Sequence, residues 1–368
     1  MVAGQLSKCK QLSEAKNLSD LSPQELAARI KAEAAHLGFS LVGIAPAARP
    51  DTLDFLHDWL NRGMHGEMGY MSRRKDAYAH PSGVMPEVRS LILLSMNYSN
   101  EQSSDSATGR IAKYATGETD YHDLMRSRLK SLVRMLREAF PESRNRVIVD
   151  TAPLLERDFA RKAGLGWFGK NTLLINKYEG SYFFLAGILT DLELPADSPH
   201  ETSHCGTCTR CLDACPTDAF DGPYTLDARK CISYLTIELR DQEIPDELRS
   251  GIGDWLFGCD ICQDVCPWNR KSPGTSETEF SPQSREPTQA VEFLNMSEEE
   301  FRQRFKGTPL ERTGRVALAR NAAIVLGNSG DSQWESDLKK ALNEGEPLVQ
   351  EASRWALDQI SDAQIKES

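Results

Sequence analysis

The sequence predicts a multidomain α+β protein with three parts: a mixed α+β domain, a short cysteine-rich module and an all-helical tail. Strand-like and helix-like segments alternate up to about residue 195. Eight of the nine cysteines then fall between Cys205 and Cys266, and the pattern from about residue 289 onward is helical only. We therefore expect domains at 21–195, 196–270 and 289–368. They are preceded by a leader at 1–20 and interrupted by a Ser-, Pro-, Thr- and Glu-rich linker at 271–288.

Composition places the chain among globular proteins. It has 368 residues, of which 40% are hydrophobic and 26% are charged. A net charge of −11 disfavours a general polyanion binder but allows a local basic patch. The first residues, MVAGQLSKCKQLSEAK, contain no apolar signal segment and no twin arginine, and no stretch approaches about 18 apolar residues. We therefore expect a cytoplasmic protein without a membrane span, in which Cys9 is a free thiol without a role.

Helix and strand signals are clear in the first domain. Ser22 and Glu25 form a capping box, Pro23 occupies the first turn of that helix, and Gly38 ends it. Residues 63–74 are too rich in glycine and methionine for a regular element. The predicted helices are 21–37, 51–62, 123–140 and 154–163, and the predicted strands are 39–44, 90–98, 146–150, 172–175 and 182–189.

Residues 164–171, Gly-Leu-Gly-Trp-Phe-Gly-Lys-Asn, match G-x-G-x-x-G and, except for the last residue, G-x-x-x-x-G-K-[ST]. Both motifs bind phosphate at the N-terminus of a helix that follows a strand. Here a helix precedes the octet, strand-like segments follow it, and Asn171 replaces the hydroxyl residue that binds magnesium. We therefore reject a nucleotide site. The glycines still indicate a tight backbone that can approach a large ligand closely.

The cysteine module carries the strongest chemical signal. Its two runs are Cys205-x2-Cys208-x2-Cys211-x3-Cys215-Pro216 and Cys259-x2-Cys262-x3-Cys266-Pro267, with Cys231 between them. The first run has the spacing of bacterial ferredoxins, in which three cysteines bind one [4Fe–4S] cluster and the fourth, before proline, binds the other. The second run lacks one cysteine of this spacing, and Cys231 is the obvious replacement.

Eight thiolates meet the requirement of two four-iron clusters. We assign one cluster to Cys205, Cys208, Cys211 and Cys266, and the other to Cys215, Cys231, Cys259 and Cys262. Zinc held by four cysteines is the competing interpretation, because CxxC pairs also suit zinc, but a run of this spacing that ends in proline is much rarer at zinc sites. Structural disulfides are disfavoured because nothing else marks an exported chain.

The tail is predicted to contain helices 297–305, 310–326, 334–342 and 347–360, with Gly327 and Gly345 among the breaks. Paired helices of this length are typical of short HEAT-like repeats. One face of the tail carries a local excess of positive charge, which comprises Arg302, Arg304, Lys306, Arg312, Arg315 and Arg320.

Two adjacent clusters carry single electrons and perform no substrate chemistry themselves. The long first domain is therefore expected to hold the group that receives the electrons, although it shows no flavin or nicotinamide fingerprint. Cobalamin accepts single electrons, but its motif D-x-H-x-x-G is matched only by Asp120-Tyr121-His122, with Met125 where glycine belongs. From the residues alone, the protein is an iron–sulfur oxidoreductase with an unidentified acceptor site.

Several longer strings resemble epoxyqueuosine reductase, in the order of that family between about residues 21 and 360. They are Asp150-Thr-Ala-Pro-Leu-Leu-Glu-Arg157, Gly164-Leu-Gly-Trp-x-Gly-Lys-Asn171, Cys231-Ile-Ser-Tyr-Leu-Thr-Ile-Glu238, Gly258-Cys-Asp-x-Cys-Gln-x-Val-Cys-Pro-Trp-Asn269, and Arg320-Asn-Ala322 with Leu326-Gly-Asn328. The resemblance implies a nitroreductase-like domain that holds base-off cobalamin, a ferredoxin-like domain with two [4Fe–4S] clusters and a HEAT-like domain that binds tRNA. It implies reduction of epoxyqueuosine to queuosine at the tRNA wobble position.

The resemblance also assigns site residues. Asp150 matches the family's proton donor, and Tyr121 and His122 line the same pocket. We expect Asp150 to be protonated when cobalamin is bound, because burial against an apolar corrin would raise the pKa of its carboxyl. Without the resemblance, Asp150 is equally well explained as a strand-end acid that caps the next helix. The residues expected near the corrin are Arg73, Lys113, Asp150, Lys170, Asn171 and Ser233, and those expected on tRNA phosphates are Arg312, Arg315 and Arg320.

The match departs from the family at one point. The usual Gly-Arg-Asp-Tyr-His stretch reads Gly117-Glu-Thr-Asp-Tyr-His122 here, which puts a local tRNA or cofactor contact in doubt but leaves Tyr121 and His122 in place.

Two other functions stay open at this point. A reductive dehalogenase shares cobalamin and two clusters, but such enzymes usually carry a twin-arginine leader and lack a helical repeat tail. A ferredoxin-like electron carrier or assembly partner would have no chemistry of its own and would bind no corrinoid. Whichever function applies, we expect an unidentified low-potential electron donor and a monomeric protein.

Overall fold

The computed structural model describes residues 17–100, 109–280 and 289–367. Cys9, most of the predicted leader and residues 281–288 of the predicted linker lie outside the described residues. Within the described ranges the strands are β1 (Leu41–Pro46), β2 (Ser90–Asn97), β3 (Arg110–Ile111), β4 (Asn145–Ile148), β5 (Trp167–Phe168), β6 (Leu174–Ile175), β7 (Phe183–Thr190) and β8 (Trp255–Phe257). The α-helices are α1 (Pro23–His36), α2 (Leu53–Asn61), α3 (Gly69–Arg73), α4 (Tyr121–Ala139), α5 (Glu156–Lys162), α6 (Arg210–Asp213), α7 (Ile232–Ile237), α8 (Asp246–Ile252), α9 (Ile261–Asp264), α10 (Ala290–Asn295), α11 (Glu298–Phe305), α12 (Arg315–Ser329), α13 (Glu335–Glu344) and α14 (Pro347–Glu367).

An antiparallel sheet organises the first domain, in the strand order β1–β2–β7–β4. Its central strands β2 and β7 pair from Ser90 opposite Thr190 to Asn97 opposite Phe183. Every residue of β2 is buried, as expected of a strand that is covered on both faces. The predicted strands 90–98 and 182–189 thus form the middle of the sheet.

Helices cover both faces because successive side chains of a strand point to opposite sides. On one face, Ile92 and Leu94 pack in the same cluster as residues of α1 and α4. On the other face, Leu91 and Leu93 pack with residues of α5. Burial of each such side chain contributes about 1.5–3 kcal/mol to the free energy of unfolding. This packing fixes α4, β4 and α5 relative to one another.

Several predicted boundaries shift, and the reasons are local. The helix predicted at 123–140 begins at Tyr121, because Asp120 caps it through a hydrogen bond from the His122 N–H at 2.9 Å. The strand predicted to end at Asp150 stops at Ile148. The segment 63–74, predicted to be irregular, contains α3.

The glycine octet forms part of a hairpin and not a phosphate-binding loop. Trp167 and Phe168 of β5 pair with Ile175 and Leu174 of β6. A Cβ atom on Gly166 would lie 2.2 Å from the Ile175 carbonyl oxygen, so this position requires glycine. The rejection of a nucleotide site from the order of elements is consistent with this hairpin.

The cysteine module attaches directly to the first domain. Strands β3 and β8 pair in parallel across the junction. The Lys113 backbone N–H donates to the buried carboxylate of Asp260 at 2.7 Å, and the Lys113 ammonium group contacts Asp264 at 2.5 Å and the Tyr182 hydroxyl at 3.1 Å.

One apolar core runs through the cysteine module and the tail. Leu235, Trp255 and Phe257 pack in the same buried cluster as Phe293 and Leu318. The predicted linker therefore separates two stretches of sequence that share a core. Inside the tail, Gly327 was predicted to break a helix, and this is wrong. It lies within α12, where a Cβ atom would come 2.6 Å from Ala356 Cα of α14, so glycine allows the two helices to approach closely.

Arg320 stands at the centre of this shared core and is fully buried. Its guanidinium donates to the carbonyl oxygens of Leu235, Leu239 and Gln242 at 2.6–2.9 Å. Next to it, the Asn321 amide donates to the carbonyls of Thr236 and Leu256 at 3.0 and 2.9 Å. Four of these carbonyl groups lie at or beyond the end of α7, where the helix itself leaves them unpaired, and the fifth, that of Leu256, belongs to β8. The prediction that Arg320 contacts tRNA is therefore wrong, because the side chain faces protein backbone.

No helix in the described part of the chain combines the length and apolar character needed to cross a bilayer.

Replacing Arg320 by Lys is expected to lower the free energy of unfolding by about 3 kcal/mol, because an ammonium group cannot satisfy all the buried carbonyls and each loss costs about 1–3 kcal/mol. The matched control is Arg302→Lys on α11, which lies on the surface with a side chain that is 75% exposed and should change stability by less than about 0.5 kcal/mol. Denaturant unfolding of both cluster-loaded variants under anaerobic conditions measures the difference. Equal midpoints would show that Arg320 does not support the junction.

Candidate active site

The first turn of α4 presents two adjacent side chains, Tyr121 and His122, to the edge of the sheet. The Asp120 cap sets the start of the helix and so fixes their direction. The Tyr121 ring stacks on Phe184 of β7, with ring centroids 4.0 Å apart and an angle of 5° between the planes. Packing on a central strand leaves the Tyr121 ring little freedom to turn.

Asp150 lies in the turn between β4 and α5. Its φ of 60° is in the left-handed region, which costs a non-glycine residue about 1–3 kcal/mol, least for Asp and Asn. The Asp150 N–H donates to Glu156 Oε1 at 3.0 Å, which holds this conformation. The turn leaves the carboxylate 64% exposed beside Tyr121 and His122. A strand-end acid that merely capped α5 would not have this geometry, and Asp150 makes no side-chain cap on that helix.

A hydrogen-bonded network joins these groups. The Tyr121 hydroxyl donates to Asp150 Oδ2 at 2.9 Å, and His122 Nε2 lies 3.6 Å from the same oxygen. The other ring nitrogen, Nδ1, lies 2.8 Å from Asp120 Oδ1. The imidazole of His122 therefore stands between two carboxylates.

This arrangement favours the protonated form of His122. Burial alone would lower the pKa of His122, but the hydrogen bonds with Asp120 and Asp150 outweigh burial and raise it. The hydrogen bond with His122 is also the main cause that lowers the pKa of Asp150, against burial and with help from Tyr121. The residues of the chain by themselves thus favour the ionised form of Asp150, whereas the expected carboxylic acid concerns the protein with cobalamin bound. Any rise in its pKa has to come from what binds above it.

Arg312 reaches this network from the tail. Its Nη2 forms an ion pair with Asp120 and lies 2.9 Å from His122 Nδ1. The guanidinium charge opposes the positive charge on His122 and so limits the rise in its pKa. We expected Arg312 only on tRNA phosphates, and the capping acid Asp120 escaped notice, although an Asp before an amphipathic helix is a recognisable cap signal.

The open side of Asp150 is bordered by two walls. One wall carries Tyr70 of α3, a half-exposed ring whose pKa is raised to about 12 by burial and by the charges of Glu238 and Asp150. The facing wall carries Glu238 and Arg240, which follow α7. Glu156 lies behind the turn, where burial and the nearby Asp150 raise its pKa to about 8. We call the exposed side of Asp150, with Tyr70, Glu238 and Arg240 near it, the cleft, and the acid–base network forms its floor.

The first set of cysteines surrounds a cavity of about 230 Å³. Its lining includes Cys205, Cys208, Cys211 and Cys266, the four thiols assigned to one cluster. Burial raises the pKa of Cys211 and of Cys266, and in both cases thiols of this set add to the rise. Four thiols around a space of this size fit an iron–sulfur cube.

The second set is more deeply enclosed. Burial raises the pKa of Cys231, of Cys259 to about 12, and of Cys262, with contributions from Cys215 on Cys231 and Cys259 and from Cys231 on Cys262. Cys211 also acts on Cys262, so the two sets adjoin. These groupings agree with the assignment made from spacing.

Zinc fits these thiols less well. In the described part of the chain, no three Cys, His, Asp or Glu side chains converge as closely as the ligands of one metal ion do. Thiols that are spread around a larger space suit a cluster, whose irons are spaced apart.

Three of the residues expected near the corrin contact the cysteine module or its junction with the first domain. Lys170 Nζ donates to the carbonyls of Gly206 and Cys208 at 2.8 and 2.9 Å. Asn171 is buried beside the same cavity, and Lys113 binds Asp264 and Tyr182 at the junction. That these three residues also border the corrin stays a prediction.

Arg73 and Ser233, which with Asp150 complete the set expected near the corrin, also stay predictions. Arg73 is exposed at the end of α3 beside the cleft. Ser233 lies on α7, where its backbone N–H donates to the Cys231 thiol. In the tail, Arg315 is engaged by Glu298 and Glu346, so its charge is neutralised within the protein.

Comparisons with known proteins follow the same division of the chain. Residues 204–269 match the family described as "4Fe-4S double cluster binding domain", and residues 79–151 match "Epoxyqueuosine reductase QueG, DUF1730". The chain therefore contains a double [4Fe–4S] cluster domain.

Relatives and solved structures match over almost the whole chain. The epoxyqueuosine reductase of Pseudomonas aeruginosa is 43% identical over 93% of this chain and 97% of its own length, and that of Escherichia coli K12 is 42% identical over 92% and 90%. A crystal structure of epoxyqueuosine reductase with an epoxyqueuosine-modified tRNA-Tyr stem loop superimposes with a TM-score of 0.83, at 29% identity, over 92% of this chain and 91% of that one. With this level of identity along nearly its full length, the chain belongs to the epoxyqueuosine reductase family of oxidoreductases.

Proposed function

We propose that the protein reduces epoxyqueuosine to queuosine at the wobble position of tRNA, with electrons fed through two [4Fe–4S] clusters to cobalamin. The observation that carries the proposal is the Asp150–Tyr121–His122 network, which lies at the floor of a cleft whose facing wall is the helix that follows Cys231. Family membership supports the substrate, since the named relatives are epoxyqueuosine reductases and one related structure contains the modified stem loop. A cytoplasmic monomer fits a tRNA substrate and oxygen-sensitive clusters.

The cleft suits cobalamin on its own residues. A half-exposed ring, Tyr70, and the exposed guanidinium of Arg73 border the space in front of Asp150, and Ser233 lies on the helix of the facing wall. His122 is committed to Asp120 and Asp150 on both ring nitrogens, so it is not a free ligand for cobalt. A base-off cofactor, which needs no histidine from the protein, fits these residues. When bound, cobalamin supplies a metal centre that passes single electrons to the substrate.

The overall reaction converts an epoxide to an alkene and water, and it consumes two electrons and two protons. The protein's part is to deliver protons to the opening oxygen. His122 stores a proton between two carboxylates, Asp150 Oδ2 lies within reach of His122 Nε2, and Asp150 itself is exposed to the cleft. We therefore assign the proton donor to Asp150, recharged by His122, while Tyr121 orients the carboxylate through its hydroxyl.

Most arginines of the tail's basic face are paired within the protein, so the tail offers less positive charge to tRNA than we expected. Arg302 and Arg304 pair with Glu298 and Glu292, and Arg315 and Arg320 are engaged internally. Two residues of the basic face stay accessible: Lys306 is exposed and forms no ion pair within the described ranges, and Arg312 is 42% exposed although it pairs with Asp120. We propose that the HEAT-like tail meets tRNA chiefly through these two residues.

Replacing Asp150 by Asn should lower kcat by about 10²–10⁴-fold, because a positioned general acid contributes that much. Cluster content, corrinoid content and tRNA affinity should stay at wild-type values. The matched control is Asp123→Asn, which changes an exposed acid directly after His122 in the first turn of α4. Mass analysis of epoxyqueuosine-containing tRNA after incubation measures turnover, and an active Asp150→Asn variant would exclude the assigned role.

The pH profile should report His122. Its pKa is raised by Asp120 and Asp150, so the imidazolium is present below that value and is lost as pH rises through it. We expect kcat to fall on the alkaline side with an apparent pKa above about 6.5. His122→Gln should lower kcat by at least about tenfold and remove this limb. An unchanged alkaline limb in the variant would assign the titration to another group.

Arg312→Gln tests the contact between the tail and the network. We expect a lower kcat, because Asp120 loses its ion pair and His122 its fixed position, and a smaller salt dependence of tRNA binding, with a slope reduced by about one. Arg302→Gln, which removes an equal charge from the tail surface away from Asp120, should leave kcat unchanged. If both variants behave alike, Arg312 acts only as a surface charge.

A further inference from the structure

The cavity of the first cysteine set lies at the surface of the protein. Among its lining residues, His204 and Arg210 are exposed, as are the neighbouring Gly206 and Thr207. Trp268 also lines the cavity and is half-buried. A group held by this set therefore lies close to solvent on one side.

The second cysteine set is covered by α7, the tail and β8 on the side where the first set lies close to solvent. Cys231 is followed by α7, in which Ile232, Tyr234, Leu235 and Thr236 are buried. The tail covers this helix through Arg320. Cys259 follows β8, whose three residues are all buried. An electron that arrives from outside thus meets the first set before the second.

We propose that the surface around this cavity is the docking site for a small acidic protein that donates one electron at a time. We call it the rim surface and define it by His204, Arg210, Tyr224, Trp268, Arg270 and Lys271. The proposal rests on the proposed function, since it names the partner that supplies the electrons. Each docking event oxidises the carrier by one electron and reduces the first cluster by one, so two events supply one turnover.

Charge is the first argument. The loops that carry the cavity and Tyr224, 201–213, 216–225 and 266–271, hold the bases Arg210, Arg270 and Lys271 against the acids Glu201, Asp213, Asp218 and Asp221, of which Asp221 pairs with Arg62. Lys170 adds a further positive charge, because its ammonium group is fixed on the backbone of the same loop. Arg210, Arg270 and Lys271 are exposed and form no ion pair within the described ranges. With Lys170, four positive charges face three acids that form no ion pair within the described ranges, so this surface is more positive than the chain of net charge −11 as a whole and favours an acidic partner.

The second argument is an exposed aromatic ring at the same place. Tyr224 has a φ of 69°, which is a strained backbone conformation for a residue other than glycine, and its ring is 49% exposed. The Tyr224 N–H donates to the Lys170 carbonyl at 2.9 Å, and its hydroxyl lies 3.4 Å from Ser203 Oγ. Tyrosine is enriched at protein interfaces. The strained loop thus holds an apolar contact beside the basic side chains.

The rim surface is suited to a transient electron-transfer complex. Electron-transfer encounters bury less than about 1,200 Å² and dissociate quickly, and charge steers them more than apolar area does. A surface with a few cations and one aromatic ring suits such a transient partner. Two successive electrons per turnover require the carrier to leave after each delivery.

The test compares two reductants on one charge-reversed variant, Arg270→Glu with Lys271→Glu, which leaves the residues that line the cluster cavity unchanged. The probe is a plant-type [2Fe–2S] ferredoxin, an acidic one-electron carrier, and dithionite serves as a small reductant that needs no docking. The matched control is Lys340→Glu with Lys339→Glu on α13, which also reverses two exposed charges. We expect ferredoxin affinity, measured by thermophoresis at low salt, to fall at least tenfold in the rim variant only.

Reduction of the clusters by ferredoxin, followed in the visible spectrum, should slow in parallel, whereas reduction and turnover with dithionite should match wild type. Unchanged ferredoxin affinity and reduction rate in the rim variant would overturn the docking proposal and leave the reductase function standing. If the wild-type protein shows no turnover with dithionite, this result would instead contradict the proposed function. An equal effect in the α13 control would reduce the finding to net charge and also overturn the proposal.

Discussion

Asp260 is buried at the junction between the cysteine module and the first domain, and the rest of the structure depends on its contact with Lys113. Its carboxylate accepts the Lys113 N–H, and burial raises its pKa to about 6, against the lowering effect of this bond and of the lysine charge. Asp260 also lies between Cys259 and Cys262 in the sequence. The residue that ties the two domains together is therefore part of the loop that holds the second cysteine set, so the distance from that set to the catalytic cleft is fixed by a buried contact.

The same logic explains what the sequence could predict. Cysteine spacing is a local covalent property, and the eight thiols fall into the two sets that spacing indicates, although one member, Cys231, stands alone in the sequence. The alternation of strands and helices likewise predicted the central sheet, because β2 and β7 are continuous apolar runs. Glu156 could not be predicted in the same way, although it lies in the recognised string 150–157. Its raised pKa depends on a turn that brings it behind Asp150.

Basic residues were the hardest to interpret. A positive charge in a sequence binds phosphate, acid or backbone carbonyl equally well, and only the fold decides which. Arg320 could have been recognised as internal, because the residues from Ala317 to Gly327 are buried on every side of α12, and the string VALARNAAIVLG is apolar all round. Lys170 gave no such signal. Its partners are carbonyl groups of a loop about 40 residues away, which no local pattern specifies.

The proton network shows why Asp150 need not be a carboxylic acid at rest. Two carboxylates and one imidazole carry a net charge of −1 when His122 is protonated, and Arg312 brings the group close to neutrality. A nearly neutral network can lie in a cleft that receives an anionic tRNA, whereas two uncompensated carboxylates would repel it. As substrate and cofactor exclude water from the cleft, the Coulomb attraction that keeps the proton on His122 competes with the cost of a desolvated Asp150 carboxylate. Transfer of the proton from His122 to the Asp150 carboxylate oxygen neutralises both groups. We therefore propose that His122 and Asp150 store the proton as an ion pair, and that exclusion of water by substrate and cofactor moves it to the acid.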